Sequence, residues 1–289
     1  MTAYGLIEAG GTKFVLGIAD ADRTIRATHR IPTTTPDETI GAAADWFKAQ
    51  GDLLAAIGIG SFGPLQLDRT APNWGHITRT PKPHWANTDL VRPFAEAFGC
   101  PVAIETDVNA AALAEAKWGA GAGCSSLLYL TIGTGIGGGY VSGGRLLHGL
   151  SHPEMGHIRL PRHPDDMEFK GTCPFHGDCL EGLASGPAII ARWGRSLSEL
   201  APRHPGKAII AWYLAQAMVT FQAVMEPERI VLGGGVTGAA GLLHLVRAEA
   251  KSAAAGYFAG DPEKVIVAPG LGEQSGLLGA LAVALSSTS

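Results

Sequence analysis

Tyr4-Gly-Leu-Ile-Glu-Ala-Gly-Gly-Thr-Lys-Phe-Val-Leu-Gly-Ile-Ala19 decides the architecture. Its two apolar runs, residues 4–9 and 14–19, read as short strands joined by Gly10-Gly11-Thr12-Lys13, since apolar runs of this length bounded by glycine favour strand over helix. A third strand is expected around Thr24 to Ile31, after the polar turn at Asp20-Ala21-Asp22. The same order returns later: a strand from Leu127 to Ile132, a turn at Gly133-Thr134-Gly135-Ile136-Gly137, a strand from Gly138 to Ser142, and a third near Leu146 after Gly143-Gly144. In both places the Gly turn joins two strands, whereas in a Rossmann or Walker loop it opens a helix. A repeated meander of this kind predicts an α/β chain of two similar halves with a cleft between them.

The remaining segments fit that frame. Residues 36–50 read as a helix, and Leu53 to Gly60 as a buried strand feeding the loop Gly60-Ser61-Phe62-Gly63-Pro64. Residues 65–88 have no clean period, and so long an irregular connection is expected to be functional or mobile. A helix from Thr88 to Phe98 with Thr88 as its N-cap, a strand from Pro101 to Glu105 and an Ala-rich helix from Asp107 to about Trp118 follow. The boundary between the halves is placed at Gly119–Gly123. In the second half helices are expected near 187–200 and 206–225, then a strand from Glu228 to Leu232 ending in Gly233-Gly234-Gly235. A helix at about 239–254, a strand from Val265 to Ala268 and a helix at 276–285 complete the chain.

Bulk composition narrows the function classes. The 289 residues are 46% hydrophobic and 17% charged, which marks a globular chain. A net charge of −4 gives no support to nucleic-acid or anionic-membrane binding. Cys100 and Cys124 read as small buried thiols, and no secretion signal opens the sequence, so a reducing cytoplasm is expected. Ala208 to Met225 carries no charge, but Gln216, Thr220 and Gln222 interrupt it and a Gly-rich strand pattern follows. A buried core helix is expected there, not a membrane span.

His157, Cys173, His176 and Cys179 form the sharpest chemical pattern. Thiolate and imidazole are the ligands that tetrahedral zinc prefers, and C-x2-H-x2-C plus one more distant histidine is a metal-site spacing. The bland reading is two buried cysteines and two surface histidines. Glu154 and Glu181 flank this set, as solvated acids or as acceptors for substrate hydroxyls. The three Gly-rich turns place backbone N–H groups where phosphate oxygens can approach, although each alone is equally a tight hairpin. Asp107 opens a helix directly after a strand. It reads either as the helix N-cap or as a general base toward a hydroxyl attacking a γ-phosphoryl group. Thr106 and Asn109 beside it suit a site that binds hydroxyls.

Taken together, Glu8-Ala-Gly-Gly-Thr-Lys13, Thr106-Asp107-Val-Asn109, Thr131-Ile-Gly-Thr-Gly-Ile-Gly137, Glu154-Met-Gly-His157, the Cys173–Glu181 loop and Gly233–Gly235 resemble the ROK family of sugar kinases, within the actin-like ATPase superfamily. The resemblance runs along nearly the whole chain. It implies two ribonuclease-H-like domains: residues 1–118, with the terminal helix at about 275–289 packing back on them, and residues 119–274 with a zinc-binding insertion at 150–181. It also implies that Asp107 is the base, and that Gly63, Pro64, Thr106, Asn109, Glu154, His157 and Glu181 contact the sugar. Gly10, Gly11, Thr12, Lys13, Thr134, Gly135, Pro187, Gly233, Gly234, Gly235, Val236 and Thr237 would contact ATP. His157, Cys173, His176 and Cys179 would hold a structural zinc ion, with Mg²⁺ accompanying ATP.

Within the family, the Cys-Pro-Phe-His-Gly-Asp-Cys form and Gly63-Pro64 are most similar to bacterial fructokinases. Transfer to D-fructose, giving fructose 6-phosphate, is therefore the expected reaction. Glu8 stands where many members carry Asp, and Thr106 where glucokinases carry Asn. The alternatives are a mannokinase, glucokinase or amino-sugar kinase, and, in a different class, a sugar-sensing regulator without turnover. The DNA-binding helices of the family's repressors are not expected, because the first strand begins almost at Met1. A homodimer is implied by resemblance alone.

Overall fold

β1 (Ala3–Ala9), β2 (Lys13–Asp20) and β3 (Ile25–Pro32) open the chain, followed by α1 (Pro36–Gln50), β4 (Leu54–Ser61), α2 (Arg92–Phe98), β5 (Val102–Thr106) and α3 (Asp107–Trp118). Next come β6 (Ser126–Ile132), β7 (Ile136–Ser142), β8 (Arg145–Leu146), α4 (Leu180–Ala184), α5 (Gly186–Trp193) and α6 (Pro205–Met225). The last elements are β9 (Arg229–Gly233), α7 (Leu242–Ala254), α8 (Pro262–Val265), β10 (Ile266–Val267) and α9 (Ser275–Ser286). This is a computed structural model, and it describes residues 2–287.

The strands form two five-stranded sheets, ordered β3-β2-β1-β4-β5 and β10-β9-β6-β7-β8. Read from the opposite edge, the second sheet has the same topology as the first: an antiparallel meander, then parallel strands added beside its first strand. β1 pairs antiparallel with β2 and parallel with β4, and β6 pairs antiparallel with β7 and parallel with β9. The chain therefore contains the same α/β unit twice.

The first compact unit comprises Met1–Gly119, Leu146–His152 and Leu271–Ser289. One face of its sheet carries a core that includes Ile7, Phe14, Ile57, Phe47 and Trp85. α3 and α9 cover the other face, and they lie close because the residues between them are small. A Cβ on Gly58 would sit 1.9 Å from the Ala280 carbonyl oxygen, and one on Gly279 would sit 2.6 Å from the Ala110 carbonyl carbon. The irregular stretch after β4 is anchored to the core. Leu65, Ile77, Trp85 and Leu90 are buried, Trp85 packs 5.5 Å from both Phe14 and Phe62, and its indole N–H donates to the Thr34 carbonyl at 2.8 Å.

The second unit comprises Ala120–Arg145 and Pro153–Gly270. α6 is long and apolar enough to cross a membrane, yet Ile210, Tyr213, Leu214 and Met218 make it the centre of this unit's core against β6, β9 and α7. The expected core helix is thus the one observed.

Two helix expectations need correcting. The segment from Thr88 is not helical until Arg92, because the Asp89 carboxylate accepts from the N–H groups of Val91 and Arg92 at 2.9 and 3.0 Å, and Thr88 caps nothing. The helix expected at 187–200 ends at Trp193, where Gly194 takes the left-handed conformation (φ 70°) and its N–H returns to the Ile190 carbonyl.

Candidate functional site

Parallel strands gather loops at their carboxyl ends, where open α/β sheets bind ligands. In the first unit the register places Ala9 opposite Ser61 and Ser61 opposite Thr106. The segments leaving those strands therefore emerge at one edge: Gly10–Lys13, Phe62–Pro64 and Asp107–Asn109. Thr33 Oγ1 donates to the Gly10 carbonyl at 2.7 Å, steadying the first turn, while Gly11, Thr12 and Lys13 remain exposed. The Gly63–Pro64 peptide bond is cis, and the Leu65 N–H donates to His152 Nε2 at 3.4 Å.

Thr106 is the N-cap of α3: its Oγ1 accepts from the Asn109 N–H at 3.2 Å. The N-cap reading of Asp107 is thereby corrected. Asp107 occupies the first helical position, where the helix dipole favours a carboxylate, and its Oδ1 accepts from the Val108 N–H at 2.9 Å. The residue is half-buried.

Glu8 lies near the end of β1. Burial pushes its carboxyl pKa up, with Lys13 and Arg30 acting in the opposite direction. It abuts the start of α9 so closely that a Cβ on Gly276 would fall 2.3 Å from its carboxyl carbon.

The second unit repeats the arrangement. Thr131 lies opposite Gly233 across the parallel pair, so residues 133–137 and 234–237 leave the same edge. Val236 N–H donates to the Ile132 carbonyl at 3.0 Å, and Gly186 N–H donates to the Gly133 carbonyl at 2.7 Å. Thr134, Gly135, Pro187, Gly234, Gly235, Val236 and Thr237 are thus brought into one neighbourhood by backbone bonds alone. Thr237 Oγ1 donates to the Gly234 carbonyl at 2.7 Å, closing that turn. Glu181, in the first turn of α4, joins them: its Oε2 accepts from the Ile136 N–H at 2.9 Å.

The four metal-ligand candidates converge. One ligand atom from each of His157, Cys173, His176 and Cys179 lies within 4.8 Å of all the others. His157 Nδ1 is 3.5 Å from Cys179 Sγ and 3.7 Å from Cys173 Sγ, and His176 Nδ1 is 3.7 Å from Cys173 Sγ. Around a tetrahedral zinc ion with Zn–S about 2.3 Å and Zn–N about 2.0–2.1 Å, the sulfur-to-nitrogen edge is about 3.5 Å. Both the donor set and the spacing fit that ion.

Backbone geometry builds the cluster. The N–H groups of Cys173 and Gly177 each donate to the other's carbonyl, at 3.1 and 2.9 Å, forming a tight hairpin that turns through residues 174–176 and closes at Gly177 (φ 64°). Leu180 N–H donates to the Ile158 carbonyl at 2.9 Å, bringing the strand-like end beside His157. Burial pushes the Cys179 thiol pKa up, and Cys173 and Glu181 add to the rise. Glu154, the exposed residue preceding the short turn Met155–His157, accepts from the His157 N–H through its backbone carbonyl at 3.0 Å.

Some polar groups near these segments carried no sequence signal. Asp178, beside Cys179, is paired with Arg159 and with Arg162, the latter at 3.3 Å. Arg162 also faces Tyr213, whose hydroxyl donates to Asp166 at 2.8 Å, and Asp166 holds Arg192 through two bonds of 2.9 and 2.8 Å. In the first unit Glu105 meets both Asn109 and His148. Glu105 stands near the end of β5, four residues before Asn109. Nothing local to His148 announces its partner.

A family model described as the ROK family matches residues 4–287. The chain is 56% identical to a fructokinase of Zymomonas mobilis, over 98% of this chain and 96% of that one. Among solved structures, a ROK hexokinase from Thermus thermophilus has a TM-score of 0.82 and 31% identity, with 99% of each chain covered. A ROK glucokinase from Streptomyces griseus, solved with glucose and AMPPNP, has a TM-score of 0.75 and 26% identity, again with 99% of each chain covered.

Proposed function

The chain belongs to the ROK family, and from that premise we propose that it transfers the γ-phosphoryl group of ATP to D-fructose, giving fructose 6-phosphate. The observation that carries the reading is the 56% identity to a fructokinase along essentially the full length. The half-buried carboxylate of Asp107, at the carboxyl edge of the first sheet, supports it chemically.

Asp107 is the general base: it takes the proton of the attacking sugar hydroxyl, while positioning and charge stabilisation supply most of the rate. Gly63, Pro64, Thr106, Asn109, Glu154, His157 and Glu181 are assigned to the sugar. Gly10, Gly11, Thr12, Lys13, Thr134, Gly135, Pro187, Gly233, Gly234, Gly235, Val236 and Thr237 are assigned to ATP, which arrives with Mg²⁺. Backbone N–H groups at such turns can bind phosphate oxygens without a charged side chain.

The His157, Cys173, His176 and Cys179 cluster is assigned to zinc in a structural role, which the mixed thiolate–imidazole donor set supports. Such an ion would fix the loop that carries Glu154 and Glu181. A cytoplasmic homodimer completes the proposal and rests on family membership.

The test is ADP release coupled to a visible reaction, run with fructose, mannose, glucose and amino sugars. Fructose giving the highest kcat/KM supports the reading. A different preferred hexose would reassign the substrate within the family. No ADP release with any sugar would favour a sensing protein.

A further inference from the structure

Glu105, at the end of β5, uses its two carboxylate oxygens on two different partners. Oε2 accepts from Asn109 Nδ2 at 3.0 Å, and Oε1 lies 3.0 Å from His148 Nε2. Asn109 is fully buried. Its amide could be seated either way round on shape alone, because N and O are nearly isosteric. A carboxylate only accepts, so Glu105 forces the NH₂ group toward itself. The other end of the amide, Oδ1, is buried and accepts from no protein group among the described residues. Buried polar atoms are almost always hydrogen-bonded, so this acceptor calls for a donor that the described protein groups do not supply. A hydroxyl of a bound sugar would supply one.

His148 sits on the 146–152 segment, which belongs to the first unit. Its side chain is 38% exposed, against 15% for Glu105. The hydrogen bond to Glu105 pushes the His148 pKa up; burial opposes this, and the charge of Glu105 adds to the rise. The imidazole thus keeps a proton on Nε2 for the carboxylate, and the carboxylate keeps one rotamer for Asn109. On the same segment, His152 meets the Leu65 N–H beside Gly63-Pro64, so 146–152 touches this sheet edge at two places.

We propose that His148 and Glu105 are a positioning pair that fixes the Asn109 amide, with Oδ1 as a hydroxyl acceptor in the sugar subsite. Neither residue touches the reacting atoms. The pair acts on ground-state sugar binding through Asn109, and the proposal rests on the sugar-kinase reading above.

The test compares wild type with His148→Ala, His148→Gln and Glu105→Leu, each with a thermal midpoint. Steady-state rates are measured against fructose and ATP separately, with calorimetric fructose titration as a second readout. In His148→Ala the expected result is a fructose KM and dissociation constant raised about tenfold or more, as for loss of a hydrogen bond to a charged group. The same variant keeps kcat within about threefold and leaves the ATP KM unchanged. His148→Gln, whose side-chain amide still donates to Glu105, is expected to return fructose KM to within about threefold of wild type. Glu105→Leu should match or exceed His148→Ala.

The proposal is overturned if His148→Ala binds fructose like wild type, or if kcat and the thermal midpoint fall while both KM values rise in His148→Ala and in His148→Gln alike. A wild type that prefers another hexose refutes the fructose assignment alone, and the same comparison is then made with that hexose. A wild type that binds no hexose overturns both.

Discussion

Replacing Cys179 with alanine removes one of four donors from a cluster whose sulfur-to-nitrogen separations, 3.5, 3.7 and 3.7 Å, match a tetrahedral zinc edge. Structural zinc sites of this kind bind with roughly 10–16 kcal/mol at neutral pH. If each ligand contributes about a quarter, losing Cys179 removes about 2.5–4 kcal/mol, or roughly 10²- to 10³-fold in metal affinity. The surrounding loop has other restraints: the paired Cys173–Gly177 backbone bonds, the Leu180–Ile158 bond and the Asp178–Arg162 ion pair. The variant is therefore expected to fold, to lose metal on dialysis against a chelator under which wild type keeps it, and to bind fructose more weakly because Glu154 and Glu181 are less firmly placed. Elemental analysis after dialysis gives the stoichiometry, and fructose titration gives the consequence. A wild type with no bound metal, or a variant that keeps a full equivalent and an unchanged fructose KM, refutes the zinc assignment.

Asp107→Asn should lower kcat by about 10²- to 10⁴-fold, the usual worth of a general base, while its thermal midpoint stays near wild type because Thr106 supplies the cap. Gly58→Ala should destabilise the first unit by about 1–3 kcal/mol in denaturant titration, since the new methyl group has only 1.9 Å to the Ala280 carbonyl oxygen. Glu8 gives a pH signature in protein free of nucleotide and Mg²⁺. Its folded pKa is raised by burial, so the folded state binds the proton more tightly than the unfolded chain. The charged form costs stability above the folded pKa, and that cost disappears as pH falls to the ordinary carboxylate range. Glu8→Gln should therefore melt higher than wild type at pH 8, with the difference closing toward pH 4; a constant difference across that range would contradict the burial argument.

Much of this molecule was readable because its signals are local. The Tyr4–Ala19 strand–turn–strand pattern and its echo at residues 127–142 became two sheets of one topology. α1 and α3 fall at the predicted limits, marked by Pro36 at one start and by Thr106-Asp107 at the other. What escaped depends on partners distant in sequence or on competing caps. Asp89, not Thr88, holds the backbone that precedes α2. The apolar pattern runs on past Gly194, but its left-handed conformation ends α5. The pairing of Glu105 with His148 joins residues with no shared pattern. Likewise, the Arg162–Tyr213–Asp166–Arg192 network is assembled only when the second core forms.

The most direct measurement is product identity and rate with wild-type protein, ATP, Mg²⁺ and each hexose in turn, followed by phosphorus NMR of the sugar phosphate. ADP should form in step with fructose 6-phosphate, at a higher kcat/KM than with mannose, glucose or amino sugars. Fructose consumed more slowly than any of those sugars, or ATP left intact in the presence of all of them, would contradict the fructokinase reading.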